Sequence, residues 1–170
     1  LTSIIDPTEI IIKHFIDSLV ALVATSFPQN CVVLDVGSGG GFPGIPLKIM
    51  RPDMRLVLVE PVLKKCSFPN SVIGLLKLQD VSTFDGTMEQ YAKRPPRHVI
   101  DMGVVRALKY EEITKHIPAL LTSKGKIVLY RAGVIKNEEI GKDFHLVNEI
   151  ALMLPQGFGK RVITVIEKNI

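Results

Sequence analysis

The sequence predicts an α/β fold with a mostly parallel sheet of seven strands, helices on both faces and a C-terminal antiparallel hairpin. Short apolar runs alternate with stretches of helical spacing over residues 31–133, which is the order expected of repeated βαβ units. Two β-rich runs follow at 145–152 and 160–168, and a turn-rich connector joins them. A glycine-rich segment, DVGSGGGFPG, overlaps the end of the first apolar run, where ligand-binding loops of such sheets lie.

The composition predicts one folded domain spanning residues 1–170. The 170 residues are 46% hydrophobic, which is enough for a substantial core, and 22% charged, which argues against disorder. We expect residues 1–28 to form a helical segment packed on a core of 29–170. The net charge of +4 is compatible with an anionic partner such as RNA and is weak evidence by itself.

Several classes of protein are disfavoured by the cysteines, histidines and apolar runs. Two cysteines make no disulfide framework, and the cysteines and histidines show no paired metal-ligand spacing. No signal peptide and no apolar run of transmembrane length is found. We therefore expect a cytoplasmic protein that binds no metal and no membrane. A monomer is our expectation for the oligomeric state.

The individual elements follow from local patterns. The predicted strands are 31–36, 55–60, 78–83, 97–102, 125–133, 145–152 and 160–168. The predicted helices are 7–15, 44–50, 63–78, 86–92 and 110–121. Asp6 is the expected N-cap of the first helix and Pro7 its first residue.

The helix over 63–78 is the least regular of these predictions. Its helical spacing is carried by apolar side chains, namely Leu63, Phe68, Val72, Leu75 and Leu76. Pro69 lies inside it, lacks an amide N–H and predicts a kink or a break.

Two glycine patterns overlap in DVGSGGGFPG and point to different cofactors. Counting from Asp35, Gly37, Gly39 and Gly41 give acidic-x-G-x-G-x-G. Gly39, Gly41 and Gly44 give the G-x-G-x-x-G of dinucleotide-binding folds. Five glycines in ten residues cost backbone entropy on folding, which argues for a ligand that the backbone approaches closely.

Position and charge favour the first pattern. The dinucleotide pattern begins well beyond the strand, and Pro43 removes an N–H from a loop that would bind phosphate. S-adenosylmethionine carries a positive sulfonium and an ammonium instead of phosphate, so a negative Asp35 suits it and would repel a pyrophosphate. Glu60, at the end of the second strand, is placed to accept the ribose hydroxyls of either cofactor. An NAD-dependent oxidoreductase or a non-catalytic nucleotide-binding module remains the alternative.

Longer motifs resemble one family. DVGSGGGFPGIPLKIMRPD, followed by LVLVEPVLKK, strongly resembles the bacterial 16S ribosomal RNA guanine-N7 methyltransferases, the RsmG or glucose-inhibited division protein B family. FPGIPL is its most diagnostic segment, and LTSIIDPTEIIIKHFIDSL, DMGVVRAL and GKRVITVIEK extend the resemblance over nearly the whole chain. Family members usually carry further N-terminal helices, so we expect an N-terminally truncated member.

This resemblance implies a Rossmann-like class I methyltransferase fold that uses S-adenosyl-L-methionine. It implies methyl transfer to N7 of a guanine in 16S rRNA of the small ribosomal subunit. The guanine N7 lone pair needs no deprotonation, and the sequence has neither an Asn-Pro-Pro-Tyr motif nor a convincing cysteine nucleophile. A methyltransferase of the same fold that acts on a small molecule or a protein remains a second alternative.

Roles for particular residues follow from the glycine pattern together with the resemblance. The candidate cofactor-binding residues are Asp35, Gly37, Ser38, Gly39, Gly41, Phe42, Glu60, Thr87, Met88, Glu89 and Arg106. Thr87, Met88 and Glu89 resemble the loop that borders the adenine. The candidate catalytic residues are Arg106, His14 and Asp17, and Ser18 shares the face of His14 and Asp17 at helical i, i+3, i+4 spacing.

Further basic residues are candidates for RNA contact. They are Lys64, Lys65, Arg94, Arg97 and Arg131, each of which is more commonly an ordinary solvated charge. Arg131 and Thr87 depart from the lysine and arginine that are frequent at these family positions, as Pro69 departs from leucine. Phe42 is the aromatic residue expected nearest to a base.

Overall fold

A single seven-stranded sheet organises the molecule. The computed structural model describes residues 4–94, 98–108 and 110–170, with the side chains of 111 and 137 outside the description. The strand order is β3-β2-β1-β4-β5-β7-β6. The strands are β1 (Val32–Val36), β2 (Arg55–Glu60), β3 (Val81–Asp85), β4 (Ile100–Arg106), β5 (Leu121–Arg131), β6 (Phe144–Met153) and β7 (Lys160–Lys168).

Short helices connect the strands. They are α1 (Pro7–Ile10), α2 (Asp17–Leu19), α3 (Ala21–Ala24), α4 (Gly44–Met50), α5 (Leu63–Leu75), α6 (Met88–Ala92) and α7 (Tyr110–Thr114). A π-helical turn, Ile11–Ile16, lies between α1 and α2, and 3₁₀ turns occur at Ile117–Ala119, Asn137–Glu139 and Pro155–Gly157. Within the described ranges, no helix is long and apolar enough to cross a membrane.

Alternation along the strands builds a hydrophobic core on each face of the sheet. Leu34 of β1 packs in the cluster that contains Met88 of α6 and Ile113 of α7. Val33 packs on the opposite face, in the cluster that contains residues of the N-terminal segment and of α4. Successive strand residues point to opposite faces, so β1 is buried on both sides.

The predicted fold class and the terminal hairpin are confirmed. Strands β1 to β5 pair in parallel, whereas β7 pairs antiparallel with both β5 and β6. The second run of the predicted hairpin therefore enters the sheet between β5 and β6, and β6 forms the edge. The reversal between β6 and β7 passes through Gln156 and Gly157, both at positive φ.

Several predicted boundaries are wrong by a few residues. β3 begins at Val81 and β4 at Ile100, later than predicted, and β5 already begins at Leu121. The helix predicted over 110–121 ends at Thr114, and a separate 3₁₀ turn contains Pro118. Proline lacks the N–H that would continue the helix, which accounts for the early end. Residues 95–97, where β4 was expected to begin, lie outside the described residues.

The N-terminal segment is not one regular helix. The Asp6 cap is confirmed, since its Oδ1 accepts the Glu9 N–H at 2.8 Å. Beyond α1 the chain widens into the π-helical turn, and the Asp17 N–H donates to the Ile12 carbonyl five residues back. A wider turn changes which side chains share a face, so the spacing of His14, Asp17 and Ser18 no longer follows the α-helical rule.

The outcome for α5 is also different from the prediction. Pro69 does not break it, because α5 continues from Leu63 to Leu75. The buried face of α5 consists of Cys66 and Pro69, so the proline ring packs toward the sheet. Leu63, Phe68 and Leu75, which suggested helical spacing, are exposed.

Helix α4 is anchored near both ends by buried polar groups. At its start, the Gly44 N–H donates to Asp35 Oδ2 at 2.7 Å. Toward its end, Lys48 is 2% exposed, and its Nζ donates to the carbonyls of Pro52, at 2.9 Å, and Met54. Burial lowers the pKa of Lys48. These contacts fix α4 relative to β1 and to the turn that enters β2.

We expect Lys48→Met to destabilise the fold by about 1.5–3 kcal/mol, because the apolar stem is kept while two carbonyls lose a charged donor. The measurement is the urea midpoint of unfolding. Lys64→Met, at an exposed lysine of α5, is the control and should change the midpoint little. Equal midpoints for the two variants would remove Lys48 as an anchor of α4.

Candidate active site

A cavity of about 930 Å³ opens at the carboxyl ends of β1, β2 and β4. The glycine-rich loop after β1 forms one wall, and Glu60 with the following residues forms the next. The start of α6 and the segment around α7 close the far side, while the π-helical turn contributes His14 and Phe15. The cavity thus lies where open parallel sheets bind their ligands.

The loop needs glycine at its different positions for different structural reasons. A Cβ at Gly37 would lie 2.5 Å from Leu108 Cδ1, and one at Gly41 would meet the Ile45 side chain, so a side chain at either position would have to displace its neighbour. At Gly39, with φ of +55°, a Cβ would meet nothing within 4 Å. Gly39 lines the cavity, so its missing side chain leaves the backbone open to a ligand.

The N–H groups of the loop are largely satisfied within the protein. Those of Gly37 and Ser38 donate to the Val59 carbonyl at 2.8 and 3.1 Å. Those of Gly41 and Phe42 donate to the Ser38 carbonyl at 2.8 and 3.0 Å. The Ser38 side chain is different: the residue lines the cavity, and its buried Oγ has no hydrogen-bond partner among the described residues.

Glu60 connects the two loops that face the cavity. It lies at the end of β2 and is 5% exposed. One carboxylate oxygen accepts the Gly39 N–H at 2.8 Å, and the other accepts the Val62 N–H at 3.0 Å. An ionised carboxylate has about four lone-pair sites, so Glu60 keeps acceptor capacity for hydroxyl groups from the cavity.

Asp35 and Gly41, by contrast, do not line the cavity. The Asp35 carboxylate is fully buried behind the loop and binds the start of α4, while its Oδ1 has no partner among the described residues. Burial raises the pKa of Asp35 to about 7, although the hydrogen bond from Gly44 and the charge of Arg106 oppose the rise. The Asp35 carboxyl is therefore only partly ionised at neutral pH. It contacts the end of the loop through Gly44 and does not reach the cavity.

An aromatic cluster borders the cavity beside Arg106. The ring of Phe42 stacks with that of His14 at a centroid separation of 5.1 Å, and Phe15 meets Phe42 edge-on at 5.3 Å. The Arg106 guanidinium carbon lies 5.5 Å from the Phe42 centroid. Burial, followed by the charge of Arg106, lowers the pKa of His14, so its ring is neutral near pH 7.

Asp17 is placed behind this cluster instead of in the cavity. It is fully buried and accepts two hydrogen bonds from Arg161, Nε to Oδ1 at 2.6 Å and a terminal nitrogen to Oδ2 at 2.8 Å. Arg106 donates to the same Oδ2 at 3.4 Å and to the Lys13 carbonyl at 3.3 Å. Ser18 is buried as well, and its hydroxyl donates to the His14 carbonyl. Of the predicted catalytic residues, His14 and Arg106 line the cavity, and Asp17 contacts it through Arg106.

The start of α6 supplies the remaining predicted residues. Thr87 caps α6 in a reciprocal arrangement with Gln90, and Met88 is buried against the cavity. Glu89 also lines the cavity, and its ion pair with Lys93 lowers its pKa. Thr87, Met88 and Glu89 are therefore brought together with Glu60.

The predicted basic residues divide into groups. Lys65 lines the cavity and Lys64 does not. Arg131 pairs with Glu139 at 2.9 Å. Arg94 lies 4.5 Å over the ring of Phe84, away from this cavity. Arg97 lies outside the described residues.

Sequence reasoning missed several participants. Phe15, Phe68, Leu108, Lys115 and His116 line the cavity, and Arg161 holds Asp17. Of these, only Lys115 and His116 could have been suspected from the sequence, because they are basic. The positions of the other residues depend on contacts between distant segments. Within the ranges that the structure describes, no group of three or more histidine, cysteine, aspartate or glutamate side chains is arranged to hold a metal.

Comparison with known proteins assigns the chain to a family. The family model for rRNA small subunit methyltransferase G, also called GidB, matches residues 1–155. The chain belongs to this family. The prediction of RsmG membership from FPGIPL and the flanking motifs is thereby confirmed.

An individual relative agrees with the assignment. The ribosomal RNA small subunit methyltransferase G of Clostridium botulinum (strain Loch Maree / Type A3) is 36% identical over 141 residues. The match covers 82% of this RsmG-family chain and 59% of the relative, so the chain spans less than two thirds of that protein.

Solved structures share the fold at low sequence identity. TrmN from Thermus thermophilus has a TM-score of 0.73 at 15% identity, covering 89% of this chain and 48% of its own. A SAM-dependent methyltransferase from Aquifex aeolicus has a TM-score of 0.65 at 13% identity, covering 95% and 93%. The predicted Rossmann-like methyltransferase fold is confirmed for this RsmG-family chain.

We expect Asp35→Asn to remove a pH dependence of stability. A carboxyl whose pKa is about 7 when folded and about 4 when unfolded binds its proton more tightly in the folded state. The wild type should therefore lose stability as pH rises from about 4 to about 7, by at most about 4 kcal/mol, and then level off. Urea unfolding between pH 4.5 and 8 measures this, and parallel curves for wild type and variant would contradict it.

We expect Asp17→Asn to destabilise the RsmG-family fold by about 3–5 kcal/mol, because two arginines lose a buried counter-charge. Thermal unfolding and calorimetric binding of S-adenosylhomocysteine should both be affected. The control is Asp53→Asn, whose ion pair with Arg51 is partly exposed and should matter much less. Equal losses in the two variants would exclude Asp17 as an organising residue.

Proposed function

We propose that this chain transfers a methyl group from S-adenosyl-L-methionine to N7 of a guanine in 16S rRNA. Family membership supports the reaction class and the RNA substrate. The observation that carries the proposal for this chain is the cavity wall in which Gly39, Ser38 and Glu60 meet. The same proposal places the protein in the cytoplasm with the small ribosomal subunit, acting as a monomer.

The residues present fit the cofactor. Ser38 Oγ is a buried hydroxyl in need of a partner, and the open space at Gly39 admits a ligand against the main chain. Glu60 keeps lone pairs for ribose hydroxyls, and Met88 offers an apolar surface to the adenine. S-adenosyl-L-methionine, when bound, supplies an electrophilic methyl group on a sulfonium.

A dinucleotide fits this loop less well. A pyrophosphate requires free N–H groups at the loop and helix start, but those of Gly37, Ser38 and Gly39 already have acceptors. The N–H of Gly44 is taken by Asp35, and Pro43 has none. The Glu60 carboxylate at Gly39 would also repel phosphate. These observations disfavour an NAD-binding oxidoreductase.

The aromatic cluster is our proposed site for the target base. Phe42, His14 and Phe15 present ring surfaces beside the cavity, and guanine stacks on such surfaces. Because its pKa is lowered, His14 presents an uncharged ring near pH 7. Arg106, held by Asp17 and by the Lys13 carbonyl, is available to a carboxylate of the cofactor or a phosphate of the RNA.

The residues near the base need to orient reactants and need not move a proton. Guanine N7 already has a lone pair, so attack on the methyl group requires no general base. Stacking on Phe42 and anchoring by Arg106 restrict the base to one orientation. The polar groups of the cavity wall, including Glu60, are already held in place, so they need not reorganise when charge shifts in the transition state. Lys65, Lys115 and His116, which also line the cavity, are proposed contacts for flanking phosphates.

We expect Gly39→Asn to abolish binding of S-adenosylhomocysteine while the protein stays folded. Asparagine tolerates positive φ, and no atom obstructs its Cβ, so its side chain enters the space assigned to the cofactor. Isothermal calorimetry measures the binding. Gly141→Asn is the matched control, since Gly141 also has positive φ and open surroundings and lies outside the cavity. Retained binding in Gly39→Asn would move the cofactor elsewhere.

The reaction itself is tested with small ribosomal subunits from a strain lacking the modification. Incubation with the protein and S-adenosyl-L-methionine should add one methyl group, which mass mapping of the 16S rRNA locates at a guanine. No methyl transfer to the RNA, with cofactor binding intact, would favour a small-molecule or protein substrate. Thermal stabilisation by NAD and not by S-adenosylhomocysteine would replace the proposal with the oxidoreductase.

A further inference from the structure

A second cavity, of about 360 Å³, lies on the α6 face of the sheet at the β2 and β3 edge. It shares no lining residue with the candidate active site. Arg55 at the start of β2, Arg94 after α6 and His98 before β4 bring basic groups to it. Asp80, Ser82 and Thr83, at and near the start of β3, add further polar groups to its lining.

The two arginines are not neutralised by neighbouring carboxylates. Among the residues that the structure describes, neither Arg55 nor Arg94 forms an ion pair within 4 Å. An Arg55 terminal nitrogen instead lies 3.1 Å from His98 Nδ1, which must present a lone pair to accept from it. A guanidinium whose near partner is an imidazole keeps most of its charge available to an anion.

Arg94 is held in position by an aromatic pair. Its guanidinium carbon lies 4.5 Å from the Phe84 centroid, and Phe84 meets Tyr91 edge-on at 5.2 Å. A guanidinium stacked by its face leaves its N–H edge free for hydrogen bonds. That edge suits the paired oxygens of a phosphate, and Arg94 lies at the ring of Phe84 without a carboxylate partner among the described residues.

Helix α6 connects this second cavity to the candidate active site. Its first residues, with Thr87, line the active-site cavity, and Tyr91 and Arg94 at its other end line the second one. Strand β2 runs from Arg55, at the second cavity, to Glu60, at the first, and its five residue steps span about 17 Å. A strand that rises about 3.4 Å per nucleotide covers this distance in about five steps. An RNA strand of about six nucleotides with one base in the first cavity is therefore long enough to reach the second.

We propose that this second cavity binds a backbone phosphate of the substrate RNA, a few nucleotides from the target base, through Arg55 and Arg94. The inference rests on the proposed function, since it assigns a contact to the same RNA. Ser82 adds a hydroxyl donor beside the arginines, and the single carboxylate, Asp80, leaves the cavity with net positive charge.

The test measures affinity for unmodified 16S rRNA between about 50 and 200 mM salt, with S-adenosylhomocysteine present. For the double variant Arg55→Gln/Arg94→Gln, the slope of log affinity against log salt should fall by about one per lost phosphate contact. Affinity near 0.1 M salt should fall about tenfold per contact. The charge-matched control is Lys136→Gln/Lys142→Gln, two exposed lysines toward the opposite, β6 edge.

A conservative pair of substitutions separates charge from structure. Arg55→Lys/Arg94→Lys keeps both charges and should retain most of the salt slope. A loss equal to that of the glutamine variant would overturn the phosphate contact, as would a glutamine variant that behaves like the lysine control.

Phosphorus NMR with AMP distinguishes RNA from a free nucleotide. AMP that binds through these arginines, with RNA affinity unchanged in the glutamine variant, would assign the cavity to a nucleotide and overturn the RNA proposal. Failure of the proposed function has another signature, namely a wild type that neither binds S-adenosylhomocysteine nor methylates 16S rRNA. Failure of this inference alone leaves both activities intact and the salt slope unchanged.

Discussion

The buried carboxylate of Asp17 is the interaction on which the geometry of the site depends. It joins the N-terminal segment, the end of β4 through Arg106 and β7 through Arg161, which are distant in sequence. A fully buried charge is costly unless it is paired and hydrogen-bonded, so both arginines are fixed by that requirement. The orientation of Arg106 beside Phe42 follows, and the neutral state of His14 follows in part from the charge of Arg106.

Physical periodicity explains what could be predicted of the fold. Alternating apolar runs and glycine punctuation predicted all seven strands and their mostly parallel pairing, because burial on both faces requires such runs. Boundaries were less accurate where a proline changed the local hydrogen bonding, as at Pro118. The face of α5 was misjudged, because Leu63 and Leu75 have the spacing of core residues but are exposed, whereas Cys66 and Pro69 are the residues that are buried.

For the site, the motif predicted where the ligand-binding loop lies, but it did not predict which of its residues line the cavity. Gly39 and Glu60 line the cavity as their positions suggested, since the carboxyl ends of adjacent parallel strands meet at one edge. Asp35 belongs to the same motif yet lies behind the loop, because side chains alternate along β1 and that of Asp35 points toward α4. Arg161 was invisible in the sequence, since its partner lies 144 positions away.

The two hydrogen bonds that the Glu60 carboxylate accepts, from Gly39 and Val62, have a consequence for ligand affinity. The hydrogen bonds of the loop are made within the protein, so its shape is set before a ligand arrives. Binding a rigid surface costs less conformational entropy than ordering a mobile segment. For a small molecule, the cavity is therefore a preorganised binding surface. Little of the free energy gained from its contacts is spent on ordering the loop, so most of that free energy contributes to affinity.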